Sequence, residues 1–190
     1  IVQAIRLGRR IFDNIKKAAA YIFAIHVPIA GLSIAPVLLL DWPIILMPVH
    51  VLFLELIIDP ACSIIFEAES AEPDVMQRPP RNPKDPLFSS RTVWISVLQG
   101  LSVLAIVLAV FATARYMNHT EETARGLAFV TLLVANICLI LMNRSWSRSA
   151  LAMLREPNEA VKWVVGGASL VMILVLSVPQ LNALFHFGPL

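Results

Sequence analysis

The chain has 190 residues, of which 58% are hydrophobic and 15% are charged, and its formal net charge at neutral pH is +2. Soluble domains carry about 25% charged residues, so the composition excludes an ordinary soluble domain. No basic patch alternates with aromatic residues, so nucleic acid is not an expected partner. The charges are confined to blocks between long uncharged runs, which is typical of a polytopic membrane protein.

Five apolar runs predict an all-α, polytopic bundle of transmembrane helices. Each run approaches or exceeds the roughly 20 residues that a helix needs to cross a bilayer. We expect Pro28, Gly31 and Pro36 to break the first of these helices internally. The segment after the fifth run is too short to cross again. The predicted spans are residues 18–40, 42–66, 92–114, 126–142 and 163–178.

The distribution of Lys and Arg predicts the orientation in the membrane. If the N-terminus is cytoplasmic, 13 of the 15 basic residues lie on the inner side, and only Arg115 and Arg125 lie outside. The positive-inside rule therefore favours a cytoplasmic N-terminus. The first residues are amphipathic and basic and do not resemble a signal peptide, so we interpret the chain as a piece of a longer protein.

The two cysteines, Cys62 and Cys138, both lie within apolar runs. We expect two buried thiols that pack against their neighbours, with a disulfide between them as the alternative. Neither cysteine is part of a thiolate metal motif.

The second span carries two carboxylates in an otherwise apolar run. Glu55 and Asp59 are four residues apart, so a helix places both on one face, one turn apart. A carboxylate at the centre of a membrane costs about 2.5–3.5 kcal/mol on insertion scales, and such residues mark ion or proton paths. Pro60 donates no hydrogen bond to the carbonyl of Leu56, so we expect the helix to loosen over residues 56–59. Carboxylates and freed carbonyl oxygens are ligands for hard cations, and transporters bind ions at such broken helices.

Two polar residues of other spans are further candidates for this site. His26 lies in the middle of the first span, where Pro28 frees the carbonyl of Ala24. Asn136 is the amide deep in the fourth span. Each has a structural alternative, as a hydrogen-bonded packing histidine and as an amide that joins two helices. The acid pair has alternatives too, because it could carry protons or be a protonated structural pair.

A family resemblance is carried by the second span and the loop after it. P-type cation-transporting ATPases of the calcium-pump type (type II) have a sixth transmembrane helix and cytoplasmic loop similar to residues 48–87, PVHVLFLELIIDPACSIIFEAESAEPDVMQRPPRNPKDPL. The most specific part is the loop DVMQRPPRNPKDPL, which is close to the family pattern Asp-x-Met-x-Arg-Pro-Pro-Arg. Residues 8–17, GRRIFDNIKK, resemble the stalk of the fifth helix, where the family has Gly-Arg-x-Ile-Tyr-x-Asn-x-Lys. The resemblance covers essentially the whole chain and is strongest over residues 8–90.

The resemblance implies the membrane part of an ATP-driven pump, from the fifth helix to the start of the tenth. In such pumps an aspartate in a cytoplasmic domain is phosphorylated, and ATP and Mg²⁺ act in cytoplasmic domains for which this sequence has no counterpart. We therefore expect that the chain alone does not hydrolyse ATP. Its expected partners are the lipid bilayer and the remaining helices and domains of the same pump, in a bacterial inner membrane. The implied parts are a cytoplasmic stalk, an ion-site hairpin, a Pro-rich coupling loop and a C-terminal bundle with an incomplete last helix, at residues 1–17, 18–66, 67–91 and 92–190.

The resemblance also implies roles for single residues. Asp59 matches the acid of the family's sixth helix, and Glu55 stands at an asparagine-ligand position. His26 falls at an asparagine-ligand position of the fifth helix, and Asn136 lies near the acid of the eighth. Ile29 replaces a glutamate of pumps with two calcium sites, which argues for one site or a different ion.

The Pro-rich loop would help to couple the phosphorylation domain to the helices. The resemblance assigns this role to four consecutive residues, and a solvated connector is the alternative for each one. These residues are Arg78, Pro79, Pro80 and Arg81.

The predicted function is thus cation translocation by a P-type pump, with Ca²⁺ as the expected ion and Mn²⁺ or H⁺ as alternatives. A proton pump, or a proton-coupled secondary transporter or channel, could use the same acid pair. A membrane scaffold with a protonated pair is the third interpretation, and it predicts that neutralising the acids changes only stability.

Overall fold

The computed structural model describes residues 1–38, 42–80, 89–145 and 158–188, and within these ranges it contains helices and short connections but no β-strand. Among the described residues, five helices are long and apolar enough to cross a membrane, which confirms the predicted all-α fold with five spans. A sixth, short helix follows them. In chain order the helices are α1 (Val2–Leu38), α2 (Pro48–Ala68), α3 (Ser90–Tyr116), α4 (Glu121–Asn143), α5 (Glu159–Ser177) and α6 (Pro179–Leu184).

Helix α1 is continuous over 37 residues and joins the predicted stalk to the first span. The expectation that Pro28, Gly31 and Pro36 break it is wrong, because both prolines lie inside the helix. Neighbouring helices can hold a membrane helix together where a proline removes one backbone hydrogen bond. Here a buried stripe at helical spacing supplies that packing. It consists of Tyr21, Ala24, Ile25, Pro28, Ile29, Leu32 and Ala35.

Helices α1 and α3 approach most closely at two glycines, one on each helix. A Cβ added to Gly100 would lie 2.6 Å from the Cβ of Val27 and would collide with the backbone oxygen of Ala24. A Cβ added to Gly31 would lie 2.8 Å from the Cδ1 of Leu104. Small residues at such contacts let the backbones of membrane helices pack directly against each other.

We expect Gly100→Val to lower the free energy of unfolding by about 1–3 kcal/mol, because the new side chain pushes α3 away from the backbone of α1. Thermal unfolding in detergent would measure the loss. Gly166→Val is the matched control, since a Cβ at Gly166, inside α5, meets nothing within 4 Å. Equal losses in the two variants would contradict the close contact at Gly100.

The chain end that follows α6 folds back onto the start of α2. The ring of His50 is fully buried there, accepting a hydrogen bond at Nδ1 from the amide of Met47 (3.1 Å) and donating one from Nε2 to the carbonyl of Phe185 (2.8 Å). One neutral tautomer of the imidazole satisfies both bonds. Arg125 donates to the carbonyls of Ile44 and His186 and so ties α4 to the same corner. The ring of His50 packs among Phe129, Phe185 and Phe187.

Both cysteines are free thiols. Cys62 is half-buried on α2 and packs against the apolar core, in agreement with the predicted packing role. Cys138 is exposed on the outer face of α4, so the prediction of a buried thiol is wrong for this residue. An apolar run does not tell which face of a spanning helix packs on protein.

Candidate functional site

The acid pair of α2 lies opposite the histidine of α1. Residues 48–60 are α-helical, so Glu55 and Asp59 lie on one face, one turn apart. The Nε2 of His26 is 3.8 Å from the Oε1 of Glu55, and this contact joins two separate spans. The structure therefore places His26 close to Glu55, and Asp59 lies one helical turn further along α2.

The hydrogen bonding of His26 determines what its ring offers to Glu55. The Nδ1 of His26 lies 2.9 Å from the carbonyl oxygen of Ile22. Because a carbonyl only accepts hydrogen bonds, this Nδ1 carries the hydrogen. A neutral ring then presents the lone pair of Nε2, and a protonated ring presents a second N–H to the carboxylate. His26 can thus serve as a cation ligand or as a proton-dependent partner of Glu55.

The predicted loosening of α2 over residues 56–59 is wrong in position. The helix stays α-helical to Pro60, and the irregular section is the π-helical turn Ala61–Ile65 that follows. The amide of Ala61 is shared between the carbonyls of Ile57 and Ile58, and the hydroxyl of Ser63 donates to the carbonyl of Asp59 (2.7 Å). The missing amide of Pro60 is thus accommodated by a wider turn after the acids. Such π-helical turns occur frequently at functional sites.

The side chains brought together make only part of a metal site. Within residues 1–38, 42–80, 89–145 and 158–188, no group of three His, Cys, Asp or Glu side chains is placed to hold a metal ion. Two carboxylates supply at most about four oxygens, whereas Ca²⁺ takes about six to eight. The acids also remain accessible, because Asp59 is exposed and the side chain of Glu55 is 39% exposed. Further ligands would have to approach from this open face.

Asn136 lies against Tyr21 of α1 and not against the acids. It is fully buried, and its side-chain oxygen accepts a hydrogen bond of 2.7 Å from the hydroxyl of Tyr21. The amide nitrogen has no hydrogen-bond partner among the residues of known placement. Since a hydroxyl can donate or accept, the amide could be rotated by 180° and still bond to Tyr21, which would leave its oxygen available. Its contact is the helix-joining one that the structural alternative predicts.

The first part of the predicted coupling loop is fixed to α1. Arg78 donates to the carboxylates of Asp13 (2.7 Å) and Asp74 (2.6 Å), and Arg9 donates to the carbonyls of Val75 and Arg78. The hydrogen bonds from Arg78 lower the pKa of Asp74, and those to Asp74 and Asp13 raise the pKa of Arg78. The loop is therefore not a freely solvated connector at Arg78.

The other three residues assigned to the loop's coupling role give less information. Pro79 and Pro80 are exposed, and Arg81 lies outside the described residues.

A buried ionic network joins the same loop to three helices, and sequence reasoning missed it. Lys17 of α1 and Glu72 form an ion pair of 2.6 Å, in which the side chain of Lys17 is 1% exposed. Arg144, directly after α4, pairs with Glu69, whose Oε1 also accepts from Asn158 at the start of α5 (2.7 Å). The sequence offers one indication of this network, which is that its charged residues lie next to the ends of apolar runs.

Comparison with known proteins identifies relatives that are cation-transporting ATPases. Residues 43–190 match the family described as cation transporting ATPase, C-terminus. A calcium-transporting ATPase of Listeria monocytogenes is 32% identical over 175 residues, which are 92% of this chain and 19% of that protein. A calcium-transporting ATPase of Bacillus subtilis is 29% identical over 187 residues, 98% of this chain and 21% of that protein. A sodium/potassium-transporting ATPase alpha subunit of Drosophila melanogaster is 40% identical over 97 residues, 49% of this chain and 9% of that protein.

Five apolar spans with ionisable side chains between two of them define an integral membrane protein. The chain belongs to the cation-transporting ATPase family, whose C-terminal region it matches over most of its length. This confirms the predicted resemblance at the level of cation-transporting P-type ATPases. The chain spans about a fifth of the length of the Listeria monocytogenes and Bacillus subtilis proteins.

Proposed function

We propose that this chain is the cation-translocating membrane part of an ATP-driven P-type pump, and that Glu55 and Asp59 bind the transported cation. The observation that carries the proposal is the contact between His26 and Glu55, 3.8 Å apart on two different spans. Ionisable groups inside a membrane are costly, and they commonly mark ion or proton paths. Phosphorylation and ATP binding would belong to other domains of the same pump.

The proposed cargo is a divalent cation, with Ca²⁺ as the first candidate. The two carboxylates carry a charge of about −2 when ionised, which balances one divalent ion, and oxygen is the ligand that Ca²⁺ prefers. Two of the relatives are named as calcium-transporting ATPases, which supports the same choice for this chain. Mn²⁺ accepts the same carboxylates and remains in the proposal as a second ion.

The open face of the acid pair fits a larger pump. Glu55 and Asp59 are accessible in this chain, and large apolar side chains of α2 such as Leu52 and Leu56 are exposed beside them. We assign this face to the remaining transmembrane helices, which would supply further ligands and cover the acids from lipid. The positive-inside rule places the N-terminus in the cytoplasm, in this proposal at a bacterial inner membrane.

In this arrangement the loop after α2 transmits movement to the site. Residues 67–80 are bound to α1 through Arg9, Asp13, Asn14 and Lys17, which share one face of that helix. A displacement of the loop would therefore move α1 and α2 together, and these two helices carry His26 and Glu55.

The test uses the full-length pump reconstituted in vesicles, with ATPase activity measured against Ca²⁺, Mn²⁺, Mg²⁺ and pH. We expect Asp59→Asn and Glu55→Gln each to raise the half-maximal Ca²⁺ concentration by about tenfold or more, because each removes a charged oxygen ligand. Glu67→Gln is the matched control, since Glu67 is an exposed carboxylate near the end of the same helix. If both acid variants keep the wild-type response to every ion, the acids are structural and the proposal fails.

Proton transport is the second candidate, and the position of His26 favours it. A histidine and a glutamate 3.8 Å apart can exchange a proton through one intervening water, without any metal ion. In that case activity at a constant concentration of Mg²⁺ and ATP would follow pH, and neither Ca²⁺ nor Mn²⁺ would stimulate turnover. Stimulation by one divalent ion, lost in Asp59→Asn, would instead exclude protons as the only cargo.

A further inference from the structure

A partly polar cavity of about 560 Å³ lies between the middle of α1, the start of α3 and the end of α4. It is separate from the acid pair and borders the buried ionic network, because Ser145, which donates to Glu72, is part of its lining. Ligand pockets in proteins commonly have volumes of about 300–1,000 Å³, so this one is large enough for a small polar group. Its polar lining includes Lys16, Ser89, Arg91, Thr92, Ser96 and Asn143.

Two cations of the lining lack a counter-charge in the part of the chain with known placement. Lys16 lies over the ring of Phe12, and neither Lys16 nor Arg91 forms an ion pair with a carboxylate of those residues. The neighbouring Lys17 differs, because it pairs with Glu72. The nearby carboxylate of Glu72, which accepts from the cavity-lining Ser145, is already paired with Lys17. Among the described residues, Lys16 and Arg91 therefore give the cavity an excess of positive charge, which favours an anion.

Backbone and side-chain donors at the same place also suit an anion. Helix α3 begins at this cavity, with the hydroxyl of Ser89 accepting from the amide of Thr92 (3.2 Å) as its N-cap. The first amides of a helix carry partial positive charge. Deeper in the cavity, Ser96 is only 1% exposed, and its hydroxyl forms no hydrogen bond with any residue in the described ranges. A buried hydroxyl without a partner points to a ligand that would supply one.

The apolar part of the lining indicates which anion. Ile95 and Met142 border the cavity, and each is about half exposed on the surface of the spanning helices. The cations lie where the uncharged runs of α1 and α3 begin, at the depth of lipid headgroups. Basic pockets between transmembrane helices bind the headgroups of anionic lipids. A soluble phosphate would satisfy the cations but would leave this apolar border unused.

We propose that this cavity binds the phosphate-bearing headgroup of an anionic phospholipid. Lys16 and Arg91 contact the phosphate, the start of α3 and Ser96 donate hydrogen bonds to it, and the acyl chains lie along Ile95 and Met142. A bound lipid would hold α1, α3 and α4 together on the side of the bundle away from the acid pair of α2.

The test measures lipid binding to the full-length protein by native mass spectrometry after delipidation, with phosphatidylglycerol and phosphatidylcholine as probes. We expect phosphatidylglycerol to bind more tightly than phosphatidylcholine, and Lys16→Gln and Arg91→Gln each to weaken its binding about fivefold. Arg115→Gln should leave the affinity unchanged, since Arg115 is an exposed cation at the opposite end of α3. Ser96→Leu fills the cavity without changing charge and should weaken binding too, with thermal unfolding used to check that the variant is folded.

Equal binding of the two lipids, or unchanged binding in Lys16→Gln and Arg91→Gln, would overturn the proposal. Unchanged binding in a folded Ser96→Leu variant would also overturn it, because the headgroup would then lie outside the cavity. A further experiment uses inorganic phosphate as the probe in place of lipid. If phosphate protects the protein against unfolding in a Lys16- and Arg91-dependent way and phosphatidylglycerol does not bind, the ligand is soluble phosphate and the lipid assignment is wrong.

Discussion

We expect Glu69→Ala to lower the free energy of unfolding by about 3–5 kcal/mol, the range observed when one partner of a buried ion pair is removed. The carboxylate of Glu69 accepts hydrogen bonds from the guanidinium of Arg144 and from the amide of Asn158, and all three residues are buried. Removing it takes away the negative charge that faces Arg144, whose side chain is 2% exposed. The contact between the loop, the end of α4 and the start of α5 is lost at the same time.

The experiment compares three variants by thermal and chemical unfolding in detergent. Glu69→Gln keeps an acceptor oxygen but loses the charge, so its cost should lie between those of wild type and Glu69→Ala. Glu67→Ala is the control, because Glu67 is exposed two residues away on the same segment. If Glu69→Ala and Glu67→Ala have the same free energy of unfolding, the ion pair of Glu69 does not stabilise the loop.

The five spans could be predicted from the sequence because each depends on local information. Long uncharged runs bounded by charges are sufficient to place a membrane helix, and the observed helices differ from the predicted spans mainly at their ends. The neighbourhood of Glu55, Asp59 and His26 could be anticipated for a similar reason. Helical spacing fixes the relation of the two acids, and consecutive elements of a chain are usually adjacent in space.

The position of irregular backbone was harder to predict. A proline in the sequence shows which backbone hydrogen bond is missing, but not whether or where the helix is distorted. Pro28 and Pro36 sit inside a continuous α1, whereas Pro60 is followed by the π-helical turn Ala61–Ile65. The difference comes from packing around each proline, which residues distant in sequence supply. A local rule therefore placed the distortion of α2 before Pro60 instead of after it.

The ionic network could not be predicted because its partners are far apart in the chain. Lys17 and Glu72 are separated by 55 positions, and Glu69 and Arg144 by 75. Charges next to an apolar run are normally interpreted as solvated, and nothing local distinguishes the solvated ones from the buried ones. The two adjacent lysines illustrate this. Lys16 lines an open cavity, whereas Lys17 forms a buried ion pair with Glu72.

The second large effect is expected at the ion pair of Lys17 and Glu72. Lys17→Met should cost about 3–5 kcal/mol of free energy of unfolding, because it removes the opposite charge 2.6 Å from a buried carboxylate. Glu72→Leu should cost a similar amount for the converse reason. The double variant should recover much of the loss, since replacing a buried pair by apolar side chains is often close to neutral. Unfolding in detergent measures all three variants, and a double variant whose loss equals the sum of the two single losses would show that the pair is not coupled.

The double variant also separates stability from the transmission proposed for the loop. Lys17 and Glu72 join α1 to the segment that follows α2, and these two helices carry His26 and the acid pair. An apolar pair lacks the directional bond, so one of the contacts that make the loop move with α1 is lost while the protein stays folded. The hydrogen bonds that Arg9, Asp13 and Asn14 form with the loop remain. We therefore expect the double variant of the full-length pump to hydrolyse ATP with less cation moved per turnover, compared with Lys162→Gln, whose exposed pair with Glu159 lies outside the network. An unchanged ratio of transport to hydrolysis in a stable double variant would limit this ion pair to a structural role.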